Sequence, residues 1–83
     1  MSAIYKVPLV LQPQPEGGYT VTSPRLPELL TEGNSVEEAL ANVQDALHAV
    51  LEIYEDQGRP IPADVIQDPG NTPILFDYVV KAA

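Results

Sequence analysis

"LLTEGNSVEEALANVQDALHAVLEIYEDQG", residues 29 to 58, decides the fold of this 83-residue chain. From Asn34 to Gly58 the apolar residues recur at helical spacing. At 100° per residue, Ala39, Val50, Val43, Val36, Tyr54, Leu47, Leu40 and Leu51 fall within an arc of about 120°. Ile53 and Ala46 widen the arc on one side, and Glu37, Glu38, Asp45, His48, Glu52 and Glu55 lie opposite. Ser35 followed by Glu38 is the S-x-x-E capping-box pattern, which marks the helix start. Gly58 supplies the stop, with Pro60 beyond it. The helix is entered from residues 29 to 33, a short expected strand.

Upstream, residues 3 to 12, "AIYKVPLVLQ", are β-branched and apolar and predict a strand. Pro8 has no N–H to give to a ladder, so its position predicts a bulge or an unpaired edge. Residues 13 to 18, "PQPEGG", predict a turn. Residues 19 to 23, "YTVTS", alternate strictly and predict a second strand in a hairpin with the first. Between the sheet and the helix, "SPRLPELLTEGNS" is a joint: Ser23 and Pro24 end a strand and Pro27 shapes the turn. Downstream, residues 59 to 73 hold four prolines and predict an irregular connection. Residues 74 to 80, "ILFDYVV", predict a last strand.

The expected fold is α+β, one small domain over residues 1–83 with the order β-β-β-α-β. Three strands form an antiparallel meander. A crossover helix then returns the chain to a fourth strand parallel to the first. One helix covers one sheet face. The other face, with Ile4, Val10, Thr20, Thr22, Leu75 and Val79 or the reciprocal set, is too apolar for water and predicts association.

Composition narrows the function. Twelve acids against four bases give a formal net charge of -8. Lys6, Arg25, Arg59 and Lys81 are scattered, so direct nucleic-acid binding is not expected. An acidic chain suits a basic partner, although acids also serve solubility alone. Cys is absent, which rules out disulfides and thiolate metal sites. No run is long enough for a membrane span and no signal peptide is evident, so the expected compartment is the cytoplasm.

Catalytic groups with matched roles are missing. His48 reads as a surface histidine between Asp45 and Glu52, and Ser23 and Ser35 read as turn and cap residues. Adjacent acids in a helix, Glu37 with Glu38 and Glu55 with Asp56, diverge, and Asp77 alone makes no metal pair. The expectation is no enzyme, no cofactor and no metal.

Residues 17 to 47 resemble the HicB-like antitoxin family. The family pattern is a G-Y-x-V-x-x-P strand end, then L-P-G, a short strand, T-x-G-D/N-S/T and an E-E-A helix start. Gly18, Tyr19, Val21, Pro24, Leu26, Pro27, Thr31, Gly33, Asn34, Ser35, Glu37, Glu38 and Ala39 fit it, as does "GRPIP" at 58 to 62. Tyr19, Pro24, Pro27, Gly33, Ser35 and Glu38 are its structural marks here. Arg25 stands where an acid is usual, Glu28 where Gly is common, and Asn34 replaces the more frequent Asp.

The resemblance implies a partial RNase H-like fold without that enzyme's carboxylates. It implies a homo-dimer or homo-tetramer that neutralises a small basic, RNA-cleaving toxin of the HicA type by masking its RNA-binding and catalytic surface. Many family members continue into a DNA-binding domain. This sequence stops at Ala83, so a short type without one is expected. Arg25, Glu28, Glu32 and Glu37 are the candidate partner contacts. The competing reading is a solitary homo-oligomer of the same fold, a scaffold or small-ligand binder without a toxin.

Overall fold

Pro8 interrupts the first strand-forming run, and the chain breaks there into two short strands. In the computed structural model, which describes residues 4–67, 73–79 and 82, β1 spans Ile4–Tyr5 and β2 spans Val10–Pro13. Residues 6–9 join them without strand structure, so the single strand expected over 3 to 12 is two. The missing proline donor accounts for the break. The following turn closes as Gln14 N–H donates to Gly18 O (3.0 Å) and Gly17 N–H to Gln14 O (2.9 Å). Gly17 and Gly18 both have positive φ, 103° and 81°, a region that disfavours a Cβ.

β3 (Tyr19–Thr22) and β4 (Leu30–Gly33) complete an antiparallel sheet in the order β2-β3-β4. Its register pairs Leu11 with Val21 and Val21 with Thr31, and in the next row Val10 with Thr22 and Thr22 with Leu30. Side chains alternate across a strand. The Val21 row therefore faces the helix, and Val21 has no exposed surface. The rows Val10–Thr22–Leu30 and Gln12–Thr20–Glu32 face away. The open face is thus more polar than expected, and Leu30 is its most exposed large apolar residue.

Helix α1 spans Val36–Asp56. Its start follows the S-x-x-E pattern: Glu38 N–H donates to Ser35 Oγ (3.1 Å). Glu38 Oε1 reaches back to accept from Asn34 N–H (3.2 Å), one residue before the cap. Its end is a complete Schellman motif. Gly58, at φ +64°, donates to Glu55 O (3.1 Å), and Arg59 N–H donates to Tyr54 O (2.9 Å). Ala39, Val43, Val50 and Tyr54 are the buried positions of the predicted arc. Leu40 lies at its rim and stays exposed.

The core has two parts. Val21, Ala39 and Val43 pack between sheet and helix with Leu11 and Tyr19 around them. Leu26, Leu29, Val50 and Tyr54 pack under the joint with Val7 and Ile61. Leu9 and Leu47 touch both and join them.

The end of the chain departs from expectation. A 3-10 turn (Ala63–Val65) leads into β5 (Ile66–Gln67), which pairs antiparallel with β1. Lys6 N–H extends that pairing by donating to Val65 O (2.6 Å). The partner of the first strand therefore comes from the proline-rich connection, in antiparallel sense. The fourth strand expected over 74 to 80, parallel to the first, is not formed over residues 73–79, which carry no regular structure. Two facts account for this: β5 takes one side of β1, and the break at Pro8 leaves β1 and β2 only two and four residues long, without a long continuous edge. Val80 and Lys81 lie outside the described residues. The α+β class and the antiparallel meander stand as expected.

Candidate partner-binding surface

The joint between sheet and helix is pinned by its own hydrogen bonds and by two buried leucines. Ser23, itself buried, accepts at Oγ from Arg25 N–H (3.2 Å) and Leu26 N–H (3.3 Å). Leu29 N–H then donates to Leu26 O (2.9 Å). This tight turn drives Leu26 and Leu29 into the core, where both are almost wholly buried. Pro24 and Pro27 remain at the surface and fix the backbone between these anchors. The segment presents a preformed edge.

Two long-range ion pairs clamp that edge. The Arg25 guanidinium meets Asp64 through two bonds, Nη2 to Oδ1 at 2.8 Å and Nε to Oδ2 at 2.7 Å. This fork geometry ties the joint to the 3-10 turn. Glu28 accepts from Tyr54 Oη at Oε1 (2.9 Å) and from Arg59 Nη2 at Oε2 (2.6 Å). Arg59 also lies over the Tyr54 ring, 4.2 Å from its centroid. The Schellman turn puts it there, because it folds Arg59 back over Tyr54, where an apolar contact is usual.

The titration of these groups follows from their contacts. The hydrogen bond from Arg59, then that from Tyr54, hold the Glu28 carboxyl below its ordinary value. Desolvation, followed by the bond to Glu28, pushes the Tyr54 phenol up. The bond from Arg25 holds Asp64 down. Sequence reasoning missed both pairs, since their members stand 39 and 31 residues apart. The available signal was Arg59 directly after the helix-stop glycine.

The other candidates are arranged differently. Glu32 projects from the open sheet face, and its backbone carbonyl accepts from Asn42 Nδ2 (2.7 Å). Glu37 stands exposed in the first helical turn. Glu16, Glu32 and Glu38 border a shallow cleft of about 710 Å³ over the helix start. Their charge answers the positive end of the helix dipole, which leaves the cleft unattractive to anions. Tyr19 is half-buried against the sheet–helix core, and Gly33 is buried where β4 crosses the helix start. His48 is exposed on the outer helix face, where Asp45, Glu52, Glu55 and Asp56 are exposed too.

The pairs have an electrostatic consequence. Among the described residues, the two ion pairs engage both arginines. Lys6 is the described cation outside them, so most of the remaining exposed charge is negative. No helix among the described residues is long and apolar enough to cross a membrane.

Residues 5–81 match the family described as "HicB_like antitoxin of bacterial toxin-antitoxin system". The chain belongs to the HicB-like antitoxin family. It is similar to "Antitoxin HicB 1" of Photorhabdus laumondii, with 44% identity over 71 residues, 83% of this chain and 46% of that protein. It is also similar to "Antitoxin HicB" of Escherichia coli K12, with 40% identity over 57 residues, 69% of this chain and 41% of that protein. This HicB-like chain thus spans less than half the length of these relatives. A UPF0150 protein of Thermoplasma acidophilum is 32% identical over 59 residues, covering 71% of this chain and 86% of that protein.

Proposed function

We propose that this chain acts as an antitoxin by binding. Its partner is a small basic RNA-cleaving toxin of the HicA type, and neutralisation is steric: the antitoxin covers the toxin's RNA-binding and catalytic surface. The observation that carries this reading is the acidic exterior left once both arginines are engaged internally. Complementary charge steers such an encounter and fixes which faces meet. Family membership supports the antitoxin role, and relatives bearing the HicB name match much of the chain. The role is that of a binding protein working in the cytoplasm without a cofactor, and it includes association with copies of itself.

Glu32 and Glu37 are the proposed contacts for the basic rim of the toxin, since both are exposed. Arg25 and Glu28 contribute with the surface their ion pairs leave open. Their first task is to hold the joint in shape, which lowers the ordering cost of binding.

Co-expression with the product of the adjacent gene tests the proposal. The expected result is a co-purifying complex and relief of toxin-induced growth arrest. A double change, Glu32→Lys with Glu37→Lys, should slow association and flatten its dependence on salt. If the neighbouring product is not a small basic protein, or does not bind, the antitoxin reading fails for this chain.

A further inference from the structure

Residues 74–79 are the least explained part of the described structure. Ile74, Leu75, Phe76, Tyr78 and Val79 are large and apolar, and all are exposed, Phe76 and Tyr78 to 74% and 79%. The segment alternates as a strand does, with Ile74, Phe76 and Tyr78 on one side and Leu75, Asp77 and Val79 on the other. It nevertheless forms no strand. It borders a groove of about 870 Å³ whose opposite wall is Val7, Pro8, Leu9 and Leu11 with Leu40 of the helix rim. That wall runs along the segment leading into β2 and reaches Leu11 within it, and β2 has one neighbour in its sheet.

We propose that this tail and groove form the contact between two copies of the chain, related by a two-fold axis. The proposal rests on the self-association included in the functional reading above and names the surface that performs it. Two arguments select a second copy as the occupant.

The first is area. At roughly 150–250 Å² for an aromatic side chain and less for an aliphatic one, the tail exposes about 600 Å², and the wall residues bring the patch to about 700–800 Å². A stable interface of standard size buries about 800 Å² per partner. The patch is therefore of the size a dimer needs, and a two-fold axis lets one patch serve both copies.

The second is charge. A chain with net charge -8 repels its own copy except through a face poor in acids. Two acids border the groove, Asp77 and Asp64, and Asp64 is already answered by Arg25. Lys6, the described cation outside the two ion pairs, stands on the groove. A basic toxin is drawn to the acidic exterior instead, so self-association and toxin binding use different surfaces. The unpaired side of β2 also gives the partner's tail a row of backbone groups to meet.

The test compares the full chain with Phe76→Asp/Tyr78→Asp by sedimentation velocity over a concentration series, with circular dichroism on both. The expected wild-type mass is twice the 9.0 kDa of one chain. The double variant should sediment as a monomer, its dissociation constant raised at least about 100-fold as for loss of two aromatic anchors. Its far-UV circular dichroism should be unchanged, because these side chains lie outside the core, and its melting temperature should be lower than that of the wild type and independent of concentration, since the stabilisation by association is lost.

Each other outcome overturns the proposal in a distinguishable way. A wild-type monomer at all concentrations removes the self-association reading itself. A variant that stays oligomeric keeps self-association and refutes this surface. A variant that loses its native spectrum shows that the tail covers its own chain. A monomeric wild type whose binding to the adjacent gene's basic product is lost in the variant assigns the tail to the toxin. Failure of toxin binding with the dimer intact refutes only the antitoxin role.

Discussion

Replacing Gly33 with alanine tests the packing of sheet on helix. Gly33 ends β4 two residues before the helix cap, and it is buried. A Cβ built there lies 2.6 Å from Ala39 Cα and 2.8 Å from the Glu38 carbonyl carbon, and it also meets Ala39 N. All three are helix backbone atoms, which cannot rotate away as a flexible side chain does. Sheet and helix must separate by close to 1 Å to reach ordinary contact distance. A gap of 0.5–1 Å forfeits a quarter to a half of each van der Waals well it opens. Val21, Ala39 and Val43 pack across this interface.

Overpacking against rigid neighbours costs about 1–3 kcal/mol, and with three backbone contacts the expectation is the upper end, about 3 kcal/mol. A domain of this size is stable by about 4–12 kcal/mol in all. The melting temperature should therefore fall by about 12–24 °C at roughly 4–8 °C per kcal/mol. Thermal and urea unfolding followed by far-UV circular dichroism measure this. The control is Gly58→Ala, where a Cβ meets nothing within 4 Å and only the positive φ is penalised, at about 1–2 kcal/mol. If Gly33→Ala costs less than its control, the close approach of β4 to the helix start is refuted.

Ser35→Ala removes the acceptor for Glu38 N–H and should cost about 1 kcal/mol in urea unfolding. Leu26→Ala empties a fully buried position beneath the joint and should cost about 2–5 kcal/mol, read as a lower urea midpoint. Stability should also fall in acid. Glu28 and Asp64 sit below their ordinary values of 4.5 and 3.8 when folded, so folding favours their charged forms. Their contribution is complete above those values and is lost as pH drops through the lower folded ones. Glu28→Gln should lower the urea midpoint at neutral pH and flatten its decline in acid. An unchanged acid profile would refute a stabilising role for the Tyr54–Glu28–Arg59 contact.

How far the sequence alone reached can be judged element by element. Local rules carried the helix: the apolar period, the Ser35–Glu38 pair and the Gly58 stop all act within a few residues, and each appears where it was expected. The hairpin and the short strand before the helix were equally local, set by alternation and turn glycines. The family was legible for the same reason, since its marks are the turn and cap residues of those elements.

Tertiary structure decided the rest, because the deciding interactions cross long stretches of chain. "ILFDYVV" has strand-like chemistry, yet a strand needs a free edge. β5 from the proline-rich connection had taken one side of β1, and the break at Pro8 left β1 and β2 only two and four residues long, short templates for a further strand. Arg25 and Glu28 stood out only as breaks in a pattern. The fold gave them Asp64, Tyr54 and Arg59 as partners and turned them into clamps. Sequence fixes which segments want to be helix or strand, since those preferences are local. Which edge is occupied and which charge is answered depends on what folding brings alongside.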